Sequence, residues 1–235
     1  DTQLKLSSTN LDILCSEQIS ANIDINGEIS VPAITLHEIV KKLPQGSDIN
    51  ISMDETGNSI NIKSGRSRFN LSTLPTDDFP DISQNDLSVK FVMSVDDLKT
   101  MIDKTKFAIS NEESRYYLNG IFFHSAHKNG IDVLRSVATD GHRLAQYDMP
   151  LPHGAEKMSG IIIPKKTTLE LRRILDDANG DVQIELSSSK VKFVFSEIEL
   201  VSKVIDGTFP DYTKVIPENN DKKLKTNITE LRGAI

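Results

Sequence analysis

Asp140, Gly141, His142 and Arg143 stand together in the stretch SVATDGHRLAQYDMP, residues 136–150. A carboxylate beside an imidazole and a guanidinium raises three chemistries: a general acid–base pair, a metal site, or a directed hydrogen-bonding surface for a ligand. For catalysis His142 needs a nucleophile or a metal, and a group that fixes its ring. The chain has no G-x-S-x-G elbow, no G-x-x-x-x-G-K-[ST] loop and no H-E-x-x-H helix. His124 and His127 have a spacing that could share a metal. No cysteine pair or second carboxylate accompanies them at ligand spacing, and the polar AHKNG stretch makes them expected solvated loop histidines. Arg66 and Arg68 alternate in SGRSRF, a pattern that reads as a polar strand face. RYYLNG, residues 115–120, sets Arg115 beside Tyr116 and Tyr117. Read as a strand, this stretch packs at most one tyrosine inward and leaves the other either to stack on a base or a partner or to sit at a loop edge with its hydroxyl in water. For residues 139–144 binding is the stronger reading, since Arg143 offers directed donors and Leu144 an apolar contact. A small hydrolase or metal enzyme using His142, Asp140 and His124 is the rival.

The elements that must hold these residues emerge from an internal repeat. LSTLPTDDFPD (71–81) matches VSKVIDGTFPD (201–211), VPAITLHEIVKKL (31–43) matches IPKKTTLELRRIL (163–175), and KFVMSVDDLKTMI (90–102) matches KLKTNITELRGAI (223–235). All three give a period of roughly 130 residues, the signature of tandem domains. The expected units are 1–85, lacking its opening ~40 residues; a complete 86–218; and the start of a third at 219–235. The same offset lays LKLSSTNLD (4–12) on LRSVATDGH (134–142), so Thr9-Asn10 takes the place of Thr139-Asp140. Both pairs suit a tight turn tolerant of positive φ, so the turn belongs to the fold. Leu11, Asp12 and Ile13 stand where Gly141, His142 and Arg143 do, so the fold is not expected to need those three.

Val95, Leu98, Met101 and Ile102 recur at helical spacing behind Ser94, a predicted N-cap. Leu36, Ile39, Val40 and Leu43 do so after Pro32, and Leu171, Ile174 and Leu175 after Pro164. Alternating runs such as SINIKSG and KVKFVFS predict strands. Each unit reads as two helices and about six to eight mostly antiparallel strands, an α+β domain.

The chain has 235 residues, 37% hydrophobic, with a net charge of −7 and one cysteine, Cys15. The single cysteine excludes an internal disulfide framework and fits a reducing cytosol. No apolar run approaches the ~18 residues of a membrane span, and no secretion leader is visible. The acidic total argues against a generic basic nucleic-acid binder but leaves room for one local basic surface. The candidates for it lie on the helices, where each alone also reads as an ordinary solvated face: Lys41 and Lys42; Lys99, Lys104 and Lys106; Lys165, Lys166, Arg172 and Arg173. Recurrence in corresponding helices would let them neutralise phosphates without reading bases. Asp96, Asp97 and Asp103 dilute it, so the contact is expected to be weak and salt-sensitive.

RYYLNG, SVATDGHRLA, SKVIDGTFPDY and SGRSRFNLSTLP…DFP together make the chain resemble the bacterial sliding clamps, the β subunits of DNA polymerase III. The resemblance covers essentially the whole chain. It implies a non-enzymatic, cofactor-free processivity factor: three clamp domains per protomer, a head-to-tail homodimer, and a closed cytoplasmic ring around duplex DNA. It further implies that helices lining the hole face DNA, with Arg115, Tyr116 and Tyr117 on a loop touching it. Ile34 and Thr35 stand where the family often has basic residues, which removes or moves one contact. A cleft on domain two would receive short linear peptides from the replicative polymerase, the clamp loader and repair polymerases. Its matching positions are Leu118, Thr139, Gly141, His142, Arg143, Leu144, Pro210, Lys214 and Val215. Lys214 replaces a familiar Arg and would bond a peptide backbone less directionally. Phe69 and Leu71 match the ring-closing interface. A peptide-binding scaffold that does not bind DNA is a second alternative.

Overall fold

The computed structural model describes residues 2–80 and 87–235. Asp81 of the repeated Phe-Pro-Asp, and the boundary expected between 85 and 86, lie outside the described residues.

The first unit contributes β1 (Gln3–Thr9), β2 (Ile13–Ser20), α1 (Ala33–Lys42), β3 (Asn50–Met53), β4 (Ser59–Ser64) and β5 (Ser67–Ser72). The second contributes β6 (Val89–Ser94), α2 (Val95–Thr105), β7 (Gly120–Lys128), β8 (Ile131–Thr139), β9 (Leu144–Pro150), β10 (Ile161–Pro164), α3 (Lys165–Asp176), β11 (Asp181–Leu186), β12 (Lys190–Phe195) and β13 (Ile198–Lys203). A last helix, α4, spans Ile228–Ala234. Every strand pairing is antiparallel. The α+β class follows directly, and among the described residues the second unit has two helices and eight strands, within the expected two helices and about six to eight strands.

Among the described residues three sheets form, ordered β1-β2-β13-β12-β11-β6, β10-β7-β8-β9 and β3-β4-β5. The first joins the two repeat units: β2 pairs with β13 from Ile13↔Ser202 to Glu17↔Ile198. The main core lies in the second unit. Val95, Leu98, Met101 and Ile102 of α2 and Leu171 and Leu175 of α3 pack with Phe91, Ile121, Leu134, Ile184 and Phe193 from the sheets. Ser94 caps α2 as predicted, its Oγ accepting from Asp97 N at 3.0 Å. α3 also buries Thr167 and Thr168, which its apolar stripe did not announce. Their hydroxyls are satisfied by Ser202 Oγ (2.6 Å) and the Pro164 carbonyl (3.1 Å).

The first unit is more open. α1 buries no side chain completely: Leu36 and Ile39 pack against Ile60, Ile62 and Leu71. Val40, expected in that stripe, is 44% exposed. Leu71 is buried in this unit's own cluster and Phe69 is partly buried beside it. Among the described strands β5 pairs only with β4, so what it offers outward is chiefly backbone edge.

Candidate functional site

The turn between β8 and β9 is built by its own side chains. Thr139 Oγ1 donates to the Arg143 carbonyl (2.8 Å) and accepts from Gly141 N (3.1 Å). Asp140 Oδ1 accepts from His142 N and Arg143 N, both at 3.0 Å. The β1–β2 turn repeats this bond for bond: Thr9 to Ile13 O (2.9 Å) and Leu11 N (3.1 Å), and Asn10 Oδ1 to Asp12 N (3.1 Å) and Ile13 N (2.9 Å). The expectation that the turn belongs to the fold therefore holds, with one correction. The positive φ falls at Leu11 (77°) and Gly141 (89°), not at Asn10 or Asp140. Gly141 has a second reason to be glycine: a Cβ there would stand 2.5 Å from Arg115 Nη1.

Arg115 arrives from a 3-10 segment, Glu113–Leu118, and not from the strand the sequence suggested. Ser110 N donates to Leu118 O (3.1 Å) and Asn119 N to Tyr116 O (2.9 Å), closing a compact loop. Tyr116 is 53% exposed, while Tyr117 packs against Leu118, Val137, Ile162, Phe209 and Tyr212. One tyrosine in and one out is thus correct, for a different backbone reason. Arg115 Nη2 donates to the Asp140 carbonyl at 3.1 Å, and its Nε to Glu112 at 2.7 Å. Glu112's carboxyl lies below the usual range, first through the Arg115 hydrogen bond. Of the residues expected on DNA, Arg115 is the one brought to the 140–143 turn.

Arg143 is held by Asp140 (3.0 Å), with its guanidinium 5.8 Å from the centroid of Phe107. Phe107 is 57% exposed and the sequence reading missed it; the only signal was an aromatic directly after the last turn of α2. Leu118 is buried and Leu144 packs against the same cluster. Pro210, Lys214 and Val215 are exposed on the following segment, and Lys214 pairs with Asp211 at 3.0 Å. Leu118, Leu144, Phe209 and Tyr212 belong to one apolar cluster, which the polar turn before β9 and the segment carrying Pro210, Lys214 and Val215 both adjoin in sequence.

This geometry does not favour the rival enzyme reading. Asp140 spends its oxygens on the turn's own N–H groups and on Arg143, holding its carboxyl down to about 2. It bonds the backbone of His142 and not its imidazole, so it does not orient a catalytic ring. His124 is no solvated loop histidine: it lies half-buried on β7, with Nε2 2.9 Å from the Tyr212 hydroxyl. Burial first, then Arg135, hold its pKa below the ordinary histidine value. His127 is exposed and pairs with Asp132 at 2.9 Å. No group of three metal-ligating side chains occurs among the described residues.

The cationic helices come together in part. Arg172 of α3 reaches Asp103 of α2 at 3.0 Å, and Asp103 also holds Lys106 at 2.6 Å. Lys99 meets Asp96 at 3.7 Å and Arg173 meets Glu170 at 3.5 Å. Lys165 bonds Asn111 Oδ1, tying the start of α3 to the Arg115 loop. Lys41, Lys42, Lys104 and Lys166 have no ion pair among the described residues. Lys41 and Lys42 sit in the last turn of α1, in the other unit. No helix among the described residues is long and apolar enough to cross a membrane.

Residues 1–83 match the N-terminal domain family of the DNA polymerase III beta subunit, and residues 92–211 match its central domain family. The beta sliding clamp of Caulobacter vibrioides is 48% identical over 222 residues, covering 94% of this chain and 60% of that protein. That of Pseudomonas aeruginosa is 39% identical over 233 residues, covering 99% of this chain and 62% of its own. Among solved structures, a sliding clamp from Bartonella birtlesii bound to griselimycin superposes with a TM-score of 0.89 at 47% identity, covering 94% of this chain and 59% of that one. A Caulobacter crescentus pol III beta structure gives 0.90 at 47% identity, with 94% and 60% covered. The chain therefore spans about 60% of the length of the curated relatives it matches. Both matched domain families, in chain order, place this chain in the family of bacterial DNA polymerase III beta subunits, the beta sliding clamps.

Proposed function

We propose that the protein is a DNA polymerase processivity factor: a cytoplasmic, non-enzymatic, cofactor-free ring, closed by a homodimer, that encircles duplex DNA without reading its sequence. The observation that carries the DNA side is the bridged pair α2 and α3. Their cations are tempered by carboxylates within hydrogen-bond distance, which suits weak phosphate contact and free sliding. In this reading 1–85 and 86–218 are successive clamp domains, and 219–235 opens a third, supported by its match to 90–102. The edge strand β5 with Phe69 takes part in closing the ring.

The second surface is a dock for short linear peptides from the replicative polymerase, the clamp loader and repair polymerases. Leu118 and Leu144 give its apolar floor, Arg143 and His142 its polar wall, and Pro210, Lys214 and Val215 its outer rim. Asp140 and Arg115 hold the wall in place. The test loads the full-length protein onto nicked circular duplex DNA with a clamp loader. Retention on circles and release on linearisation is the expected result. Equal loss from circular and linear DNA refutes the ring.

A further inference from the structure

Four rings meet between β7 and the segment that follows β13. Phe122 stacks on His124 (centroids 4.6 Å, 24°) and on Phe209 (4.8 Å, 7°), and Tyr212 meets Phe209 edge-on at 6.3 Å. Gly160 makes the room, since a Cβ there would stand 2.5 Å from Phe122 Cε2 and 3.3 Å from His124 Cβ. Tyr212 is the one buried side chain of its 3-10 turn, Tyr212–Val215, while Pro210, Asp211, Thr213, Lys214, Val215 and Ile216 around it are exposed. What fixes Tyr212 therefore fixes the turn.

The hydrogen bonds around Tyr212 have a defined direction. His124 Nδ1 is 2.8 Å from the Ser125 carbonyl, which can only accept, so Nδ1 carries the hydrogen. In the neutral ring, which burial favours, Nε2 is bare and accepts from the Tyr212 hydroxyl at 2.9 Å. The Tyr212 oxygen accepts in turn from Arg135 Nη1 at 3.2 Å. Arg135 is itself clamped by Asp148 through Nε (2.6 Å) and Nη2 (3.1 Å), and Asp148 also holds Lys128 at 2.7 Å. A proton on Nε2 would reverse the His124–Tyr212 bond. The Tyr212 oxygen would then face two cationic donors and its own O–H would lose its acceptor.

We propose that His124 and Arg135 are positioning residues, acting through the Tyr212 hydroxyl to hold the turn that presents Pro210, Lys214 and Val215 to the peptide dock. This rests on the peptide-dock reading above. The groups facing His124 are Tyr212 on that turn, Arg135 on β8 and Asp148 on β9; Arg135 opposes a charged imidazole and Asp148 favours it. Burial decides the balance toward the neutral ring.

The experiment measures binding of a synthetic short linear peptide from the replicative polymerase to the full-length protein by titration calorimetry, with hydrogen–deuterium exchange over residues 209–216. Val215→Asp tests the dock alone: unchanged affinity overturns the dock reading. With Val215→Asp impaired, Tyr212→Phe keeps the ring and removes the hydroxyl. It should raise Kd about three- to tenfold, the range of one or two hydrogen bonds, and speed exchange in the turn. His124→Phe should do the same, whereas His124→Gln, which keeps an acceptor, should bind within about twofold of wild type. Wild-type affinity should hold through the ordinary imidazole range and weaken only at lower pH, because burial holds the His124 pKa below its ordinary value, and His124→Gln should flatten that loss. Wild-type affinity and exchange in Tyr212→Phe and His124→Phe, while Val215→Asp fails to bind, overturns the positioning role and leaves the dock standing. A wild-type profile that stays flat at lower pH too overturns the assigned direction of the His124–Tyr212 bond.

Discussion

Gly141→Ala tests whether the 139–144 turn and the Arg115 loop are one mechanical unit. Two costs add. Gly141 sits at φ 89°, and a non-glycine residue in the left-handed region pays about 1–2 kcal/mol. The new Cβ would also lie 2.5 Å from Arg115 Nη1, so the guanidinium must withdraw and give up its 3.1 Å bond to the Asp140 carbonyl. A partly exposed bond of that kind is worth about 1 kcal/mol. The single variant should therefore lose about 2–3 kcal/mol in urea denaturation followed by circular dichroism. In an Arg115→Ala background only the backbone cost remains, about 1–2 kcal/mol, so the double-mutant cycle should show a coupling of about 1 kcal/mol. The other copy of the turn supplies a control. Leu11 holds φ 77° with a side chain that is 60% exposed, so Leu11→Gly relieves backbone strain and forfeits little burial. It should be neutral or stabilising by up to about 1 kcal/mol. Strict additivity of Gly141→Ala and Arg115→Ala would refute the coupling, and a clear loss in Leu11→Gly would refute the backbone argument.

Other perturbations separate the remaining parts. Ser94→Ala removes the N-cap of α2 and should cost about 1 kcal/mol in the same denaturation assay. Asp148 holds Arg135 and Lys128, and although burial opposes it these hydrogen bonds lower its carboxyl to about 2. A depressed carboxylate stabilises the fold above its unfolded pKa, and that contribution fades as pH falls from the usual carboxylate range toward about 2. Melting temperature should thus drop over that interval in wild type and less steeply in Asp148→Asn, which itself costs about 2 kcal/mol at neutral pH. On the DNA side, Lys166→Ala should lower the salt dependence of duplex binding by about one counterion. Arg172→Ala should change it less, because Asp103 and Asp176 already engage that guanidinium. Equal slopes for the two variants would refute the distinction.

Much of the fold was legible because its signals are local. The Ser94 cap, the apolar spacing of α2 and α3, and the alternation in KVKFVFS each depend on neighbours a few residues away. What escaped depends on distant partners. RYYL reads as a strand, yet its backbone is set by Leu118 in the core and by Asn119, whose carbonyl accepts from Lys165 N at 2.8 Å. His124 looked solvated because β7 is covered on both sides. Ile121 and Phe123 face the main core, while the other face is completed by Phe209 and Tyr212 from the far end of the unit. The sheet shared between units, through β2 and β13, left no trace in either strand's own pattern. In the 139–144 stretch the turn chemistry was visible, but the position of its positive φ was not. Asn and Asp were the residues with a known tolerance for that region, and here their side chains cap the turn while the next residue bends.

Under the proposed function, an acidic chain that holds a polyanion needs its cations arranged so that contact is favourable but shallow. The ion pairs of α2 and α3 supply that arrangement. Asp103 sits between Lys106 and Arg172, Asp96 beside Lys99 and Asp176 beside Arg172. A phosphate approaching Arg172 or Lys106 must compete with a carboxylate already within hydrogen-bond distance, so each such contact gains little. Lys104 and Lys166, without ion pairs among the described residues, can meet a phosphate at no such cost. Surface pairs of this kind contribute little to stability, so their presence on these helices is better explained by moderating charge than by fastening the fold. Replacing Asp103 with Asn tests this: it should leave the denaturation midpoint nearly unchanged and raise duplex affinity at low salt. It should also slow diffusion of the loaded ring along DNA. A large loss of stability with unchanged DNA affinity would show that Asp103 serves only to tie α2 to α3.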